Sequence, residues 1–157
     1  MIFEPAISKK VNKLKIIVDG DACPVKTEII ETARKFQTSV CMVASFDHRL
    51  PDVPDVEMIQ VDRSDQSADM YIANYVKRGD IVITQDFGLA CIVMAKHAIT
   101  ISFRGEQYTE DNIDYLLERR AESAKRRRQG IRSKGPKPFT DEDRKRFQQK
   151  LTNILDN

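Results

Sequence analysis

Lys15-Ile16-Ile17-Val18-Asp19-Gly20-Asp21-Ala22-Cys23-Pro24-Val25-Lys26 carries an unbroken apolar run into an acidic turn and then into a proline-led segment of different period. A short run of apolar residues without polar alternation reads as a strand buried on both faces. Pro24 suits a first helical position, where its missing N–H is no loss, and Val25, Ile29, Ala33 and Phe36 recur at helical spacing to give one apolar stripe. A buried strand that passes directly into an amphipathic helix is the opening of a β-to-α unit, and the fold class follows from its repetition.

The repetition is present. Val40 to Ala44 predicts a second strand, Met58 to Val61 a third, Ile81 to Thr84 a fourth and Ile99 to Phe103 a fifth. Ser45 to Asp55, with Pro51 and Pro54, reads as a loop. Ser64 to Val76 has helical period, with Ala68, Ile72, Tyr75 and Val76 on one face, Ser64 or Asp65 at the N-cap and Lys77-Arg78-Gly79 as the stop. Leu89 to Lys96 predicts a short buried helix, and Thr109 caps a long one running to about Arg120 or beyond, with Ile113, Leu116, Leu117 and Ala121 as its buried edge. Strands alternating with helices imply an α/β fold: three layers, α/β/α, around a mostly parallel central sheet of about five strands. The strand order is not legible from this pattern.

At 157 residues and 41% apolar composition the chain is expected to form a single domain over 1–157, with 1–13 as an N-terminal extension. No apolar run is long enough for a signal peptide or a membrane span, so the expected compartment is cytoplasmic. Cys23, Cys41 and Cys91 are odd in number and lack C-x-x-C spacing, which argues against disulfides and a thiolate zinc site. With only His48 and His97 as imidazoles, a bound ion would be held by carboxylate oxygen, which favours Mg2+ or Mn2+. Residues 1–118 hold 13 Lys/Arg against 19 Asp/Glu, and the last 39 hold 13 against 5. A formal −6 therefore precedes a formal +8, an acidic body beside a tail suited to a polyanion, although solubility alone is the plain alternative for the tail. About 129–139 reads as a basic flexible loop, and 140–155 as a C-terminal helix capped by Thr140 and docked through Phe147, Leu151, Ile154 and Leu155.

In a doubly wound sheet, acidic residues just after the strands share one crevice. Asp19 and Asp86 are placed in this way, and Asp65 and Asp69, one turn apart at a helix start, add to them. Repulsion among Asp19, Asp69 and Asp86 would raise their pKa values, and a divalent cation held through carboxylates and waters would remove the conflict. Phosphodiester hydrolysis is the natural chemistry of such a site. Arg126, Arg127, Arg128, Arg132, Lys134 and Lys137 would then grip a nucleic-acid backbone by charge.

Plainer roles stand beside these. Capping alone accounts for Asp65, and Asp21 could cap the helix near Pro24 or belong to the site. Asp69, beside the stripe Ala68, Ile72 and Val76, has no evident structural need. Lys26 could reach a phosphate near the helix N-terminus or simply be solvated, and Cys23 reads as packing. Asp19-Gly20-Asp21 after an apolar strand also suggests a phosphatase of the haloacid dehalogenase type, with Asp19 as nucleophile and Asp21 as acid, but Cys23 stands where Thr or Val is expected and no persuasive downstream lysine motif follows.

Val18 to Lys26, Ser67-Ala68-Asp69 with Ile72, Gly79 to Ala90, Arg104-Gly105 before Tyr108-Thr109, and Gly130, Gly135-Pro136 and Phe139 occur in an order that resembles the bacterial YaiI/YqxD family from about Leu14 to Leu155. That family looks like a branch of the PIN-like superfamily, whose better-known members are magnesium- or manganese-dependent ribonucleases. The resemblance implies a PIN-like fold, RNA as partner, and Asp19, Asp69 and Asp86 as catalytic and metal-binding aspartates. The usual helix glutamate has no clear counterpart, since Glu28 is expected to point away from the cleft. Gly20 stands where the family often has alanine, a change expected to be tolerated.

Overall fold

The computed structural model describes residues 14–45, 53–62, 67–131 and 137–157. They form β1 (Lys15–Asp19), α1 (Lys26–Lys35), β2 (Ser39–Ser45), β3 (Val56–Val61), α2 (Ala68–Tyr75), β4 (Ile81–Ile83), α3 (Phe87–Ala95), β5 (Ile99–Ile101), β6 (Gln107–Tyr108), α4 (Glu110–Arg128) and α5 (Asp141–Asp156). The sheet order is β3-β2-β1-β4-β5-β6, with every pairing parallel except the antiparallel β5–β6 edge. Among the described residues the expected five strands are therefore six. The sixth is only two residues long, too short to give a periodic signal, and exists because Thr100 and Ile101 pair with Tyr108 and Gln107 as the chain folds back.

The unbroken apolar runs have the anticipated cause: successive residues enter different cores. Ile16, Val18, Val40, Met42, Ile81 and Ile83 pack on one side with Val25 and Ile29 of the α1 segment and Phe147 and Leu151 of α5. Ile17, Cys41, Val43 and Val82 pack on the other with Ala68 and Ile72 of α2 and Leu89 and Val93 of α3. These two cores make the three layers, and α4 closes the β6 edge by packing Ile113, Leu116 and Leu117 near Ala90 and Tyr108.

Several boundaries differ from expectation. Helix α1 begins at Lys26 with Val25 as N-cap, leaving Pro24 in the preceding turn. Helix α2 begins at Ala68 with Ser67 at the N-cap, so the longer helix expected from Ser64 is shorter at its start; Ser64 and Asp65 lie outside the described residues. Ala121, expected on the buried edge of α4, is exposed, whereas Leu116 and Leu117 are half-buried. Both Thr109 and Thr140 form reciprocal capping boxes, with Asn112 and Asp143 respectively. Among the described residues no helix is long and apolar enough to cross a membrane.

Helix α5 is tied down by two arginines. Arg144 Nη1 donates to Pro24 O at 2.7 Å and Glu28 Oε1 at 3.3 Å, and Arg104 Nη1 donates to Asp143 Oδ2 at 2.6 Å. Asp143, buried in the first turn of α5, is held below the usual carboxylate range by the Thr140 N–H first and by the arginines besides.

Candidate functional site

Strand order places β1 beside both β2 and β4, and the chain leaves these two flanks by different routes. The β1–β4 boundary is thus the point where the winding reverses, and a crevice opens beyond the C-terminal ends of the two strands. Register supplies the rest. Val18 pairs with Ile83, so the next residues, Asp19 and Thr84, come side by side at that edge.

Thr84 Oγ1, fully buried, donates to Asp19 Oδ2 at 3.0 Å and accepts the Asp86 N–H at 3.0 Å. One hydroxyl thereby fixes the first aspartate and the backbone of the third. Asp86 Oδ1 accepts from the N–H groups of Gly88 and Leu89 at 2.9 and 3.2 Å, which makes Asp86 the N-cap of α3. It is a capping residue and a crevice residue at once.

Asp21 does not cap α1. Its Oδ1 accepts from Ser45 N at 3.1 Å and lies 3.4 Å from Ser45 Oγ, joining the turn after β1 to the end of β2. Between Asp21 and Cys23, Ala22 takes φ 57°, a value rare outside glycine, and the chain turns sharply there. The Gly20 N–H donates to Val43 O at 2.7 Å, and a Cβ at Gly20 would lie 3.0 Å from the same oxygen. Alanine is accommodated there only when β2 yields by a few tenths of an ångström. Asp69, in the first turn of α2, accepts from Ser67 Oγ and the Met70 N–H.

Two adjoining cavities record the convergence. One of about 280 Å³ is lined by Asp19, Asp21, Ser45, Ser67, Ala68, Asp69 and Asp86. The other, of about 470 Å³, is lined by Asp19, Asp21, Gln85, Asp86, Phe87, Phe103 and Arg120. Burial pushes the Asp19 carboxyl up to about 6; the Thr84 hydrogen bond opposes that rise, and the charges of Asp21, Asp86 and Asp69 add to it. The four carboxylates surround a shared space rather than a point: among the described residues no three His, Cys, Asp or Glu side chains form a ready-made metal cage.

Other expected residues are elsewhere. Lys26 opens α1 and lines neither cavity. Cys23 is buried, and its thiol is pushed up to about 11, as suits packing. Glu28 is engaged by Arg144, away from the crevice as expected. Arg126, Arg127 and Arg128 are exposed on the last turn of α4, and Lys137 is exposed beyond it. Asp65, Arg132 and Lys134 lie outside the described residues. Sequence reasoning missed Arg120, whose Nη1 stands 4.0 Å from Asp86 Oδ1, and Ser45, Ser67 and Gln85. A signal for Arg120 existed: it follows Leu116 by four residues on the stripe that buries α4.

A family model described as "Uncharacterized BCR, YaiI/YqxD family" matches residues 17–157. UPF0178 protein Lmo1456 of Listeria monocytogenes is 47% identical over 143 residues, covering 91% of this chain and 96% of the Listeria protein. UPF0178 protein RBAM_023530 of Bacillus velezensis is 48% identical over 143 residues, covering 90% and 85%. A crystal structure of Rae1 (YacP) from Bacillus subtilis is similar at 20% identity and a TM-score of 0.44, over 90% of this chain and 97% of that one.

Proposed function

The chain belongs to the YaiI/YqxD family, and with that as premise we propose that it is a PIN-like, metal-dependent nuclease hydrolysing phosphodiester bonds in RNA at the crevice of Asp19, Asp69 and Asp86. The observation that carries this reading is the convergence of four aspartates from three separate chain segments on one sheet edge, with Asp19 held in an unfavourable electrostatic state.

The donor set fits a hard divalent cation. All four groups are carboxylates, which are hard oxygen donors, and Mg2+ in such sites keeps several waters and takes one or two protein carboxylates with substrate phosphate. Asp19, Asp69 and Asp86 would hold the ion, which supplies charge neutralisation at the phosphoryl group and a bound water of lowered pKa. The chain's own part is positional. Thr84 fixes Asp19, the N-terminus of α3 fixes Asp86, and Ser45 fixes Asp21, so the carboxylates are held in place before a substrate arrives. The arginines of α4 supply charge for the RNA backbone without reading sequence.

The deciding experiment replaces Asp19 and Asp86 singly by Asn and assays RNA and DNA cleavage with manganese. The expected result is loss of a wild-type activity that prefers RNA. Undiminished cleavage in both variants ends the proposal.

A second reading, binding of RNA without cleavage, is favoured by the engagement of Glu28 with Arg144, which leaves the crevice without a helix glutamate from α1. It predicts equal RNA affinity with and without EDTA and no cleavage with any divalent metal.

A further inference from the structure

Helix α4 buries Ile113 and half-buries Leu116 and Leu117 against α3. Three residues beyond Leu117 and four beyond Leu116, the same face presents Arg120. The apolar stripe gives way to a cation at the place where the core ends and the crevice begins.

Among the described residues, Arg120 is the one cationic residue in the linings of the two acidic cavities. Its 4.0 Å approach to Asp86 is a charge contact, too long for a hydrogen bond, between side chains that are 60% and 38% exposed. Such a pair contributes little to stability, so folding does not account for it. Further along the same face come Arg127 and Arg128, seven and eight residues on, or about 10 to 12 Å along the helix axis. A guanidinium at the mouth of an acidic cavity thus begins a cationic line leading away from it.

We infer that Arg120 binds the phosphate of the substrate at the acidic crevice, its planar fork meeting the non-bridging oxygens, while Arg127 and Arg128 hold phosphates further along the same strand. This rests on the nucleic-acid reading above. Asp86 positions the guanidinium beforehand, and the phosphate takes over the contact when it enters.

The test is a fluorescence-anisotropy titration of a short labelled single-stranded oligoribonucleotide, in calcium buffer at several salt concentrations. It compares the full chain with Arg120→Ala, Arg120→Lys and, as control, Lys145→Ala on exposed α5. Arg120→Ala is expected to bind about tenfold more weakly. It should also lose about 0.7 from the slope of log affinity against log salt, a readout that a purely structural residue would not move. Arg120→Lys should keep the slope and recover part of the affinity, and Lys145→Ala should match the wild type. Wild-type affinity and slope in Arg120→Ala overturn the inference, as does loss of both in Lys145→Ala to the same degree. A wild-type chain that binds but never cuts with manganese, with the slope loss in Arg120→Ala, sinks hydrolysis and supports the contact. A chain that cuts, and cuts equally fast as Arg120→Ala at low substrate, overturns the contact and leaves hydrolysis standing.

Discussion

The Thr84 hydroxyl donates to Asp19 Oδ2 at 3.0 Å, a contact across 65 residues of chain that exists because parallel register sets the ends of β1 and β4 side by side. The same oxygen accepts the Asp86 N–H, so its removal strands two polar groups. Thr84→Val is expected to destabilise the fold by about 1–3 kcal/mol, and Thr84→Ser by much less. It should also raise the Asp19 carboxyl further, since this hydrogen bond holds it down. Denaturant melts of the two variants check the first point, and NMR titration of the Asp19 carboxyl checks the second. Equal stability of the valine variant and the wild type would show that the Thr84 hydroxyl does not hold this sheet edge together.

Asp19 sets a pH dependence whose sign is opposite to that of a paired carboxylate. Its folded-state carboxyl is raised from 3.8 to about 6, so the folded chain holds the proton more tightly than the unfolded one. The associated stability is full below about pH 4 and is lost as pH rises through about 6, a swing of roughly 1–3 kcal/mol. Asp19→Asn cannot ionise, yet can still accept from Thr84. In metal-free buffer it should therefore be more stable than the wild type at pH 8 and equal to it near pH 4. Chemical denaturation in EDTA across this range decides it, and an Asn variant less stable at pH 8 would refute the electrostatic account of the crevice.

Fold class was legible because both faces of the sheet are buried: Ile16-Ile17-Val18 and Ile81-Val82-Ile83 alternate between two cores, which forces the continuous apolar runs that periodicity detects. The edge strand Gln107–Tyr108 was not legible, since its pairing is with Thr100 and Ile101 rather than with a pattern of its own. Asp19 and Asp86 could be placed at one edge from their positions after strands. Their mutual proximity, however, depends on β4 lying next to β1, a crossover that local sequence does not encode. Asp21 shows the limit most clearly. Its distance from Pro24 suggested a cap as readily as a place in the site; it lines both cavities and accepts from Ser45, a contact reached only when β2 lies beside β1. Arg120 went unnoticed because a cation on an apolar stripe looks like the stripe's end until the crevice beneath it is seen.

If the carboxylates hold a divalent ion, binding must stabilise the folded state by mass action. At a manganese concentration about 100 times the dissociation constant the gain is about 2.7 kcal/mol. The wild-type melting temperature should rise with manganese at pH 8, rise less at pH 5 where Asp19 carries its proton, and stay fixed in the double variant Asp19→Asn/Asp86→Asn. Differential scanning fluorimetry with manganese, magnesium and EDTA provides the measurement. A wild-type chain indifferent to both metals at pH 8 would favour the non-catalytic reading.

Gly105 belongs to the Arg104-Gly105 pair that is part of the likeness to the YaiI/YqxD family. It takes φ 86°, and a Cβ there would lie 2.8 Å from the carbonyl carbon and oxygen of Arg146 and 2.9 Å from Phe147 N. The obstruction is helix backbone, which cannot swing aside as a side chain can, and the left-handed conformation adds strain of its own. Its neighbour Arg104 meets Asp143 at 2.6 Å, so the turn after β5 is clamped to α5 at two successive residues. Gly105→Ala should therefore displace α5 from the body and cost about 2–4 kcal/mol, more than alanine costs at an ordinary exposed turn. Gly79→Ala is the matched control, because Gly79 has φ 87° with nothing within 4 Å of the added Cβ, and should cost only about 1 kcal/mol. Urea melts of the two variants separate backbone strain from steric obstruction. If they lose equal stability, the close approach of α5 is not what requires glycine at 105.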